Sequence, residues 1–503
     1  MSPIITASVI VLIIYSAFNF KFKLYNKLYD RHNVRHKICL FFTLFISLCA
    51  SFTVFAYLST ENLEYPYPYT LFSMNAYEQM FDALFNHQLN IDVAPDELLS
   101  RLDNPYDWSE RLMYSFNYLW DRVYFDDKYF SYFGIAPVLL IYFPFYFISG
   151  KVPAPQTVCF ILSIIAIIAI FFLVIKLYKI FVEKVNLSLL IFSILAAEAG
   201  SLILMSQSSA DQYYIAVSSA IAFLALFLLF TFYAYDAKKT GLKCLFFALS
   251  GISLVFLVMS RPNIALYFLI AVPIYFSVLF SKNYKPSQKV KQVLAFAVPV
   301  IIGAVFVMWY NYARFGSVFE FGAKYQLTVY DVSKYTFNLS LVLPALYYYF
   351  LQLPEFTNVF PYFDIPFYKL SSINTYVYLT STIGMLSFPS VWGAACLPVS
   401  LGNKRADKTK KAVLILSLIC VVIMAVFDMC FAGVNIRYLS DIALVSVLFT
   451  SVMLCMFTDA FSKNSDIIKF AVHNLVSILL FLSIVLGCCL TVCNERNNLI
   501  NLN

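Results

Sequence analysis

Thirteen carboxylates crowd residues 58–133 (Glu61, Glu64, Glu78, Asp82, Asp92, Asp96, Glu97, Asp103, Asp107, Glu110, Asp121, Asp126, Asp127), against four bases, Arg101, Arg111, Arg122 and Lys128. Such a density suits proton abstraction, cation binding or recognition of hydroxyl-rich ligands. Glu78 and Asp82 stand one helical turn apart in NAYEQMFDALFNHQLNID (75–92), where Tyr77, Met80, Phe81, Leu84 and Phe85 can form one apolar face. Like charges at that spacing repel, which favours a proton on one of them or a divalent cation between them. A solvated helix face is the plain alternative. DNPYDWSER (103–111) has turn chemistry that would draw Asp103, Asp107 and Arg111 together, or simply start a helix capped by Asp107 or Ser109. Asp121, Asp126, Asp127, Lys128 and Tyr132 follow among tyrosines and phenylalanines. Aromatic faces beside carboxylates suit sugar rings and suit a membrane-interface belt equally.

Polar residues elsewhere are few and grouped. Arg261 and Asn263 flank Pro262, Arg437 precedes Asp441 by one turn, and Arg314 lies near Glu320. A guanidinium can clamp a phosphate with two hydrogen bonds; headgroup snorkelling is the alternative. Asp211 and Asp428 fall near the ends of apolar runs, whereas Glu198 sits inside one without an obvious partner. Of the four histidines only His87 falls in the acidic block, which argues against a histidine zinc centre and against an acyltransferase with an intramembrane histidine. No phosphate-binding loop, nucleophile elbow or dinucleotide fingerprint is present. Chemistry must then run on carboxylates, arginines and a divalent cation if one is used.

The elements that position these groups are membrane helices. The chain is 61% hydrophobic and 13% charged with mean hydropathy +0.77, far from a soluble domain. Apolar runs predict spans near 4–20, 38–57, 157–176, 187–205, 213–234, 244–260, 264–281, 293–311, 374–400, 412–432, 438–458 and 469–491. Loops 21–37, 176–186, 235–243, 281–292, 401–411 and 459–469 hold 23 of the 35 lysines and arginines, which marks them as cytoplasmic. No basic segment precedes the first run, so no cleavable signal is expected and both termini are placed outside. Residues 134–149 are apolar, short and carry two prolines. They read as an interfacial or re-entrant helix, which keeps 58–156 outside together with a second large loop, 312–373, whose stretch 339–353 is expected along the membrane surface. The eleven cysteines show no metal spacing, and none lies in 58–133. All the polar groups named above except Glu198 then fall at outer ends, which argues for one extracytoplasmic site.

Several stretches resemble the GT-C membrane glycosyltransferases, in particular bacterial proteins similar to the family 39 mannosyl- and aminoarabinosyl-transferases. They are Asp82-Ala83-Leu84, NPYD (104–107), KYFSYFGIAPVLLIYFPFYFISG (128–150), SRPN (260–263), YNYARFGSVFEFGAKYQLT (310–328) and RYLSD (437–441). The apolar runs read as an all-α polytopic bundle of about 12 transmembrane helices in one domain, 1–503; the resemblance implies some eleven to thirteen spans capped by an acidic first outer loop with membrane-surface helices. It implies a polyprenyl-phosphate-linked sugar donor, a glycan or lipid acceptor of the cell envelope, and inverting transfer at the outer face of the plasma membrane. By matching position the base is assigned to Asp82, then Asp107, with Glu78 as a further catalytic candidate. Arg261 and Arg437 are candidate phosphate contacts; Arg111, Asp121, Lys128, Tyr132, Asn263 and Asp441 complete the binding set. Glu78 and Asp82 are the candidate ligands of a divalent cation. The chain departs from the family at Ser73-Met74-Asn75, where many members carry an acidic pair. Two other classes compete. A flippase of lipid-linked saccharide would place charges at mid-membrane and show internal repeats. An O-antigen-type polymerase or ligase would place paired arginines in a large outer loop.

Overall fold

A computed structural model describes residues 2–60, 74–113, 117–282, 284–329, 331–334, 337–366, 378–403 and 406–500, with side chains to 493. Glu61, Glu64 and Ser73 lie outside them, as does the start of the span expected at 374–400. Eleven helices among the described residues are long and apolar enough to cross a membrane. They are α1 (Pro3–Phe22), α2 (Val34–Ser59), α5 (Pro155–Phe181), α6 (Leu187–Ser208), α7 (Gln212–Asp236), α8 (Thr240–Val258), α9 (Pro262–Leu279), α10 (Pro286–Phe315), α12 (Lys408–Phe431), α13 (Ile436–Ala460) and α14 (Asp466–Cys493). Between them stand α3 (Ala76–Phe85), α4 (Val138–Ser149) and α11 (Leu339–Leu351). The chain is a multi-pass helical membrane protein. Helix α13 is enclosed on all sides and α7 nearly so, whereas α1 and α10 leave apolar surface outward, as lipid-facing helices must. Close approach replaces hydrophobic drive inside such a bundle. A Cβ on Gly487 of α14 would sit 2.5 Å from the Ala199 carbonyl of α6, so only glycine permits that contact.

The span expected at 374–400 takes another form. Its described part is a strand pair, Tyr378–Leu379 with Gly433–Val434, then 3-10 turns at Met385–Ser387 and Pro389–Cys396 and a short helix Leu397–Gly402. Prolines 389 and 398 break any continuous helix. The segment still travels the length of α13. Thr380 donates to the Val434 carbonyl at one end, Gly393 abuts Thr450, and Asp407 accepts from Tyr235 at the far end of α7.

The two large loops build one cap. Strands β1 (Val123–Phe125) and β2 (Lys128–Phe130) form a hairpin, and Asp126 and Asp127 make its turn with φ of 51° and 50°. Positive φ at both central residues is what a tight right-twisted hairpin needs, so these two acids serve the turn. The second loop pairs onto this hairpin: the Asp121 N–H donates to the Leu327 carbonyl at 3.0 Å, and the Leu327 N–H to the Arg122 carbonyl at 2.9 Å. Helix α4 is too short to cross, and its Tyr142, Phe143 and Tyr146 pack around the Phe81 ring of α3 in tilted and edge-on contacts. On α11, Leu339, Leu343, Tyr347 and Leu351 recur every four residues as an exposed apolar stripe, while Leu341, Ala345 and Tyr349 are buried. That surface suits a helix lying along a membrane.

Candidate functional site

At the capped end of the bundle a cavity of about 600 Å³ opens between the two loops and the ends of α7, α8, α9, α10, α12 and α13. Its polar wall carries Asp121, Tyr132, Tyr213, Arg261, Asn263, Arg314 and Arg437. Its apolar wall carries Val307 of α10 with Phe427 and Phe431 of α12, and both phenylalanines are also exposed on the bundle surface. The space is therefore amphipathic.

Asp121 is the buried carboxylate that the cap contributes. Its φ of 57° is left-handed, a conformation that aspartate tolerates better than most residues and that costs energy unless the surroundings fix it. Here the pairing with Leu327 fixes the backbone. Two tyrosines of the wall donate to Asp121 Oδ2: Tyr213, from the first turn of α7, and Tyr132 at 3.2 Å. Burial raises the Asp121 pKa above the ordinary aspartate value, opposed by the Tyr213 hydrogen bond and the Arg437 and Arg122 charges. Arg122, next in sequence, turns the other way and donates to Gln79 Oε1 at 2.6 Å.

The three cavity arginines are not equivalent. Arg314 spends its donors on the Ser131 carbonyl (2.8 Å), Asn311 Oδ1 (3.0 Å) and the Tyr310 carbonyl (3.3 Å), tying α10 to the cap. Arg261 pairs with Asp441 at 2.7 Å. Arg437 rests on the Tyr213 ring at 4.2 Å and donates to the Tyr438 hydroxyl at 3.2 Å. Among the described residues it has no carboxylate at salt-bridge distance. Arg437 is thus a cation held by aromatic faces and free to meet an anion.

Of the groups singled out in the sequence, Asp121, Tyr132, Arg261, Asn263, Arg314, Asp428 and Arg437 line this cavity, and Asp441 stands behind Arg261. The others lie elsewhere. Glu78 is a helix cap: its carboxylate accepts the Asn75 N–H at 3.0 Å while Asn75 caps α3 in return. Burial, its largest influence, raises Glu78 to about 7. Asp82 is on the same helix but off the cavity; burial and then the Asp92 charge raise its pKa. Among the described residues no three histidine, cysteine or acidic side chains converge as a metal-binding group. Asp107 caps the short helix Trp108–Leu112 through Ser109, whose hydrogen bonds lower its pKa. Arg111 is buried and fastens the loops, donating to the Pro105 carbonyl at 2.5 Å and to the Thr328 carbonyl. Lys128 is exposed beside the hairpin turn. Glu198, partnerless in sequence, accepts from Ser47 of α2 inside the bundle. Tyr213 and Trp120 escaped sequence reading, because an aromatic residue at a helix start or in a loop carries no local mark of a site.

No protein-family model matches the chain, and no curated protein matches it in sequence. Two solved structures are similar in fold. One is the oligosaccharyltransferase of Archaeoglobus fulgidus in its apo form, with TM-score 0.47 and 11% identity over 91% of this chain and 55% of that one. The chain thus spans just over half the length of that protein. The other is ArnT from Cupriavidus metallidurans bound to undecaprenyl phosphate, with TM-score 0.42 and 11% identity over 90% of this chain and 77% of that one. They are of the kind that the sequence resemblance names.

One glycine shapes the cavity directly. A Cβ on Gly134 would lie 1.9 Å from the Met259 carbonyl oxygen at the end of α8, the atom that accepts the Ala136 N–H at 3.1 Å. Gly134→Ala should push the cap off α8 and destabilise the protein by about 1–3 kcal/mol. Thermal unfolding in detergent checks this; an unchanged midpoint would show that the cap does not need the contact.

Proposed function

We propose that this protein is an inverting glycosyltransferase that moves a sugar from a polyprenyl-phosphate donor to a cell-envelope glycan or lipid. One observation carries the reading. A buried carboxylate (Asp121) and an arginine with no carboxylate at salt-bridge distance among the described residues (Arg437) share Tyr213 in a cavity that also has an apolar wall. A soluble nucleotide-sugar would have no use for that wall. In this reading Asp121 takes the proton of the acceptor hydroxyl as its oxygen attacks the sugar's anomeric carbon. Negative charge develops on the departing phosphate, and Arg437, backed by Arg261, stabilises it. The base-rich loops lie at the opposite end of the bundle, which supports an extracytoplasmic active face. A flippase would need its polar groups near mid-membrane, whereas these crowd one end.

Mass spectrometry of envelope glycans and of lipid-linked sugars from cells with and without the protein tests the reading. One sugar-bearing species should disappear without the protein while its lipid-linked donor accumulates. Identical profiles would count against glycosyl transfer.

A further inference from the structure

Below the arginines of the cavity, three segments contribute a closed polar chain. Arg261, at the entry to α9, meets Asp441 Oδ2 of α13. The Asn263 amide nitrogen reaches Asp441 Oδ2 and Asp428 Oδ1 of α12, each at 3.3 Å. Both aspartates are 2% exposed. The nearby tyrosines are spent on backbone: Tyr267 donates to the Asp441 carbonyl at 2.8 Å and Tyr349 to the Gly433 carbonyl at 2.7 Å.

The charges in this chain do not balance. Two carboxylates share one amide nitrogen, each with an oxygen 3.3 Å from it, and a single guanidinium contacts only one of them. Arg437 has turned to Tyr213 and Tyr438. Like charges neighbouring one another with so little contact to solvent do not both stay ionised. Arg261 holds Asp441 as the carboxylate, which leaves the proton to Asp428. A neutral acid needs an acceptor for its O–H. Asp428 Oδ1 already receives Asn263, while its Oδ2, like Asp441 Oδ1, is buried without a partner among the described residues; of the two aspartates Asp428 is the one that lines the cavity.

We propose that Asp428 is a catalytic acid for the departing lipid phosphate. It donates a hydrogen bond to a phosphate oxygen of the bound donor and passes its proton there as the sugar leaves. This rests on the function proposed above. The acceptor O–H gives its proton to Asp121 and its electron pair forms the new bond to the sugar. The electron pair of the broken sugar–oxygen bond stays on the phosphate oxygen, which takes the Asp428 proton. Asp121 then releases one proton to water and Asp428 regains one, so the cycle is proton-neutral. The product phosphate keeps one negative charge, which Arg437 faces across the cavity. Neutral carboxylic acids kept as hydrogen-bond donors in apolar sites have precedent in enzymes.

The test uses the purified full-length protein and farnesyl phosphate as a short polyprenyl phosphate. Infrared difference spectra of wild type against Asp428→Asn should lose the carbonyl stretch of a protonated carboxyl. Asp428→Asn keeps an N–H donor and should bind farnesyl phosphate within about threefold of wild type, whereas Asp428→Leu should bind about tenfold or more weakly. Absence of the carboxyl band overturns the proposal, as does equal binding by the two variants. Loss of the band in Asp441→Asn as well, with farnesyl phosphate binding unaltered in every variant, would mean a proton shared between the aspartates and would also overturn it. Failure of wild type to bind farnesyl phosphate would instead refute the polyprenyl-phosphate reading, while the infrared band still decides whether Asp428 carries a proton.

Discussion

Asp121→Asn should lower the rate of sugar transfer by about 10²- to 10⁴-fold, the range in which a positioned general base contributes. Asparagine keeps the shape and can still accept from Tyr213 and Tyr132, so folding and donor binding should survive. Asp82→Asn and Asp107→Asn should stay within a few-fold of wild type, because neither side chain reaches the cavity. Measured turnover in membranes supplied with lipid-linked sugar separates these cases. If Asp82→Asn is dead and Asp121→Asn active, the base lies on α3 and the cavity has been misassigned. The pH profile gives a second check on the same residue. A base acts only when deprotonated, and burial raises the Asp121 pKa. Activity should therefore fall on acidification at a pH above the ordinary aspartate range. The Tyr213 hydrogen bond favours the charged form, so Tyr213→Phe should move the acid limb to still higher pH. A limb that stays put, or moves down, would detach Tyr213 from the base.

Arg437→Met is the second large effect. Methionine fills the volume without charge, and loss of one preorganised donor to developing anionic charge costs about 10²- to 10³-fold in rate. Arg437→Lys should rescue little. The planar guanidinium both stacks on Tyr213 at 4.2 Å and bonds the Tyr438 hydroxyl, and a lysine ammonium cannot do both. Arg314→Met should differ in kind, because each of its three nitrogens already donates within the fold, to Ser131, Asn311 and Tyr310. It should lower thermal stability more than turnover. Steady-state kinetics with varied donor, beside unfolding midpoints, distinguishes the two. Equal loss of turnover in both variants would remove the special place given to Arg437.

Much of this architecture is written in local pattern. Runs of apolar residues mark the bundle, and the base-rich loops separate its two ends, so Arg261, Asn263, Arg437 and Asp441 are legible as neighbours from their shared depth. The choice among acidic loop residues is not. Asp82 has a helix and a like-charged neighbour at one turn, and Asp107 has a tight turn, yet each local signal is met by local structure: Glu78 and Asp107 cap helices, and Asp126 and Asp127 turn a hairpin. Asp121 enters the cavity because Leu327, some two hundred residues later, pairs with its backbone and holds a left-handed φ. No window of sequence around Asp121 contains that pairing. The same limit explains the irregular crossing at 378–402, where prolines and 3-10 turns carry an apolar segment along α13 without a continuous helix.

The donor site itself can be seen directly. Electron cryo-microscopy of the protein in nanodiscs with undecaprenyl phosphate should show phosphate density beside Arg437 and Arg261, within reach of Asp121, and isoprenoid density along Val307, Phe427 and Phe431. Phosphate density elsewhere on the bundle, or an empty cavity at saturating lipid, would contradict the assignment of this cavity as the place where a lipid-linked sugar is held.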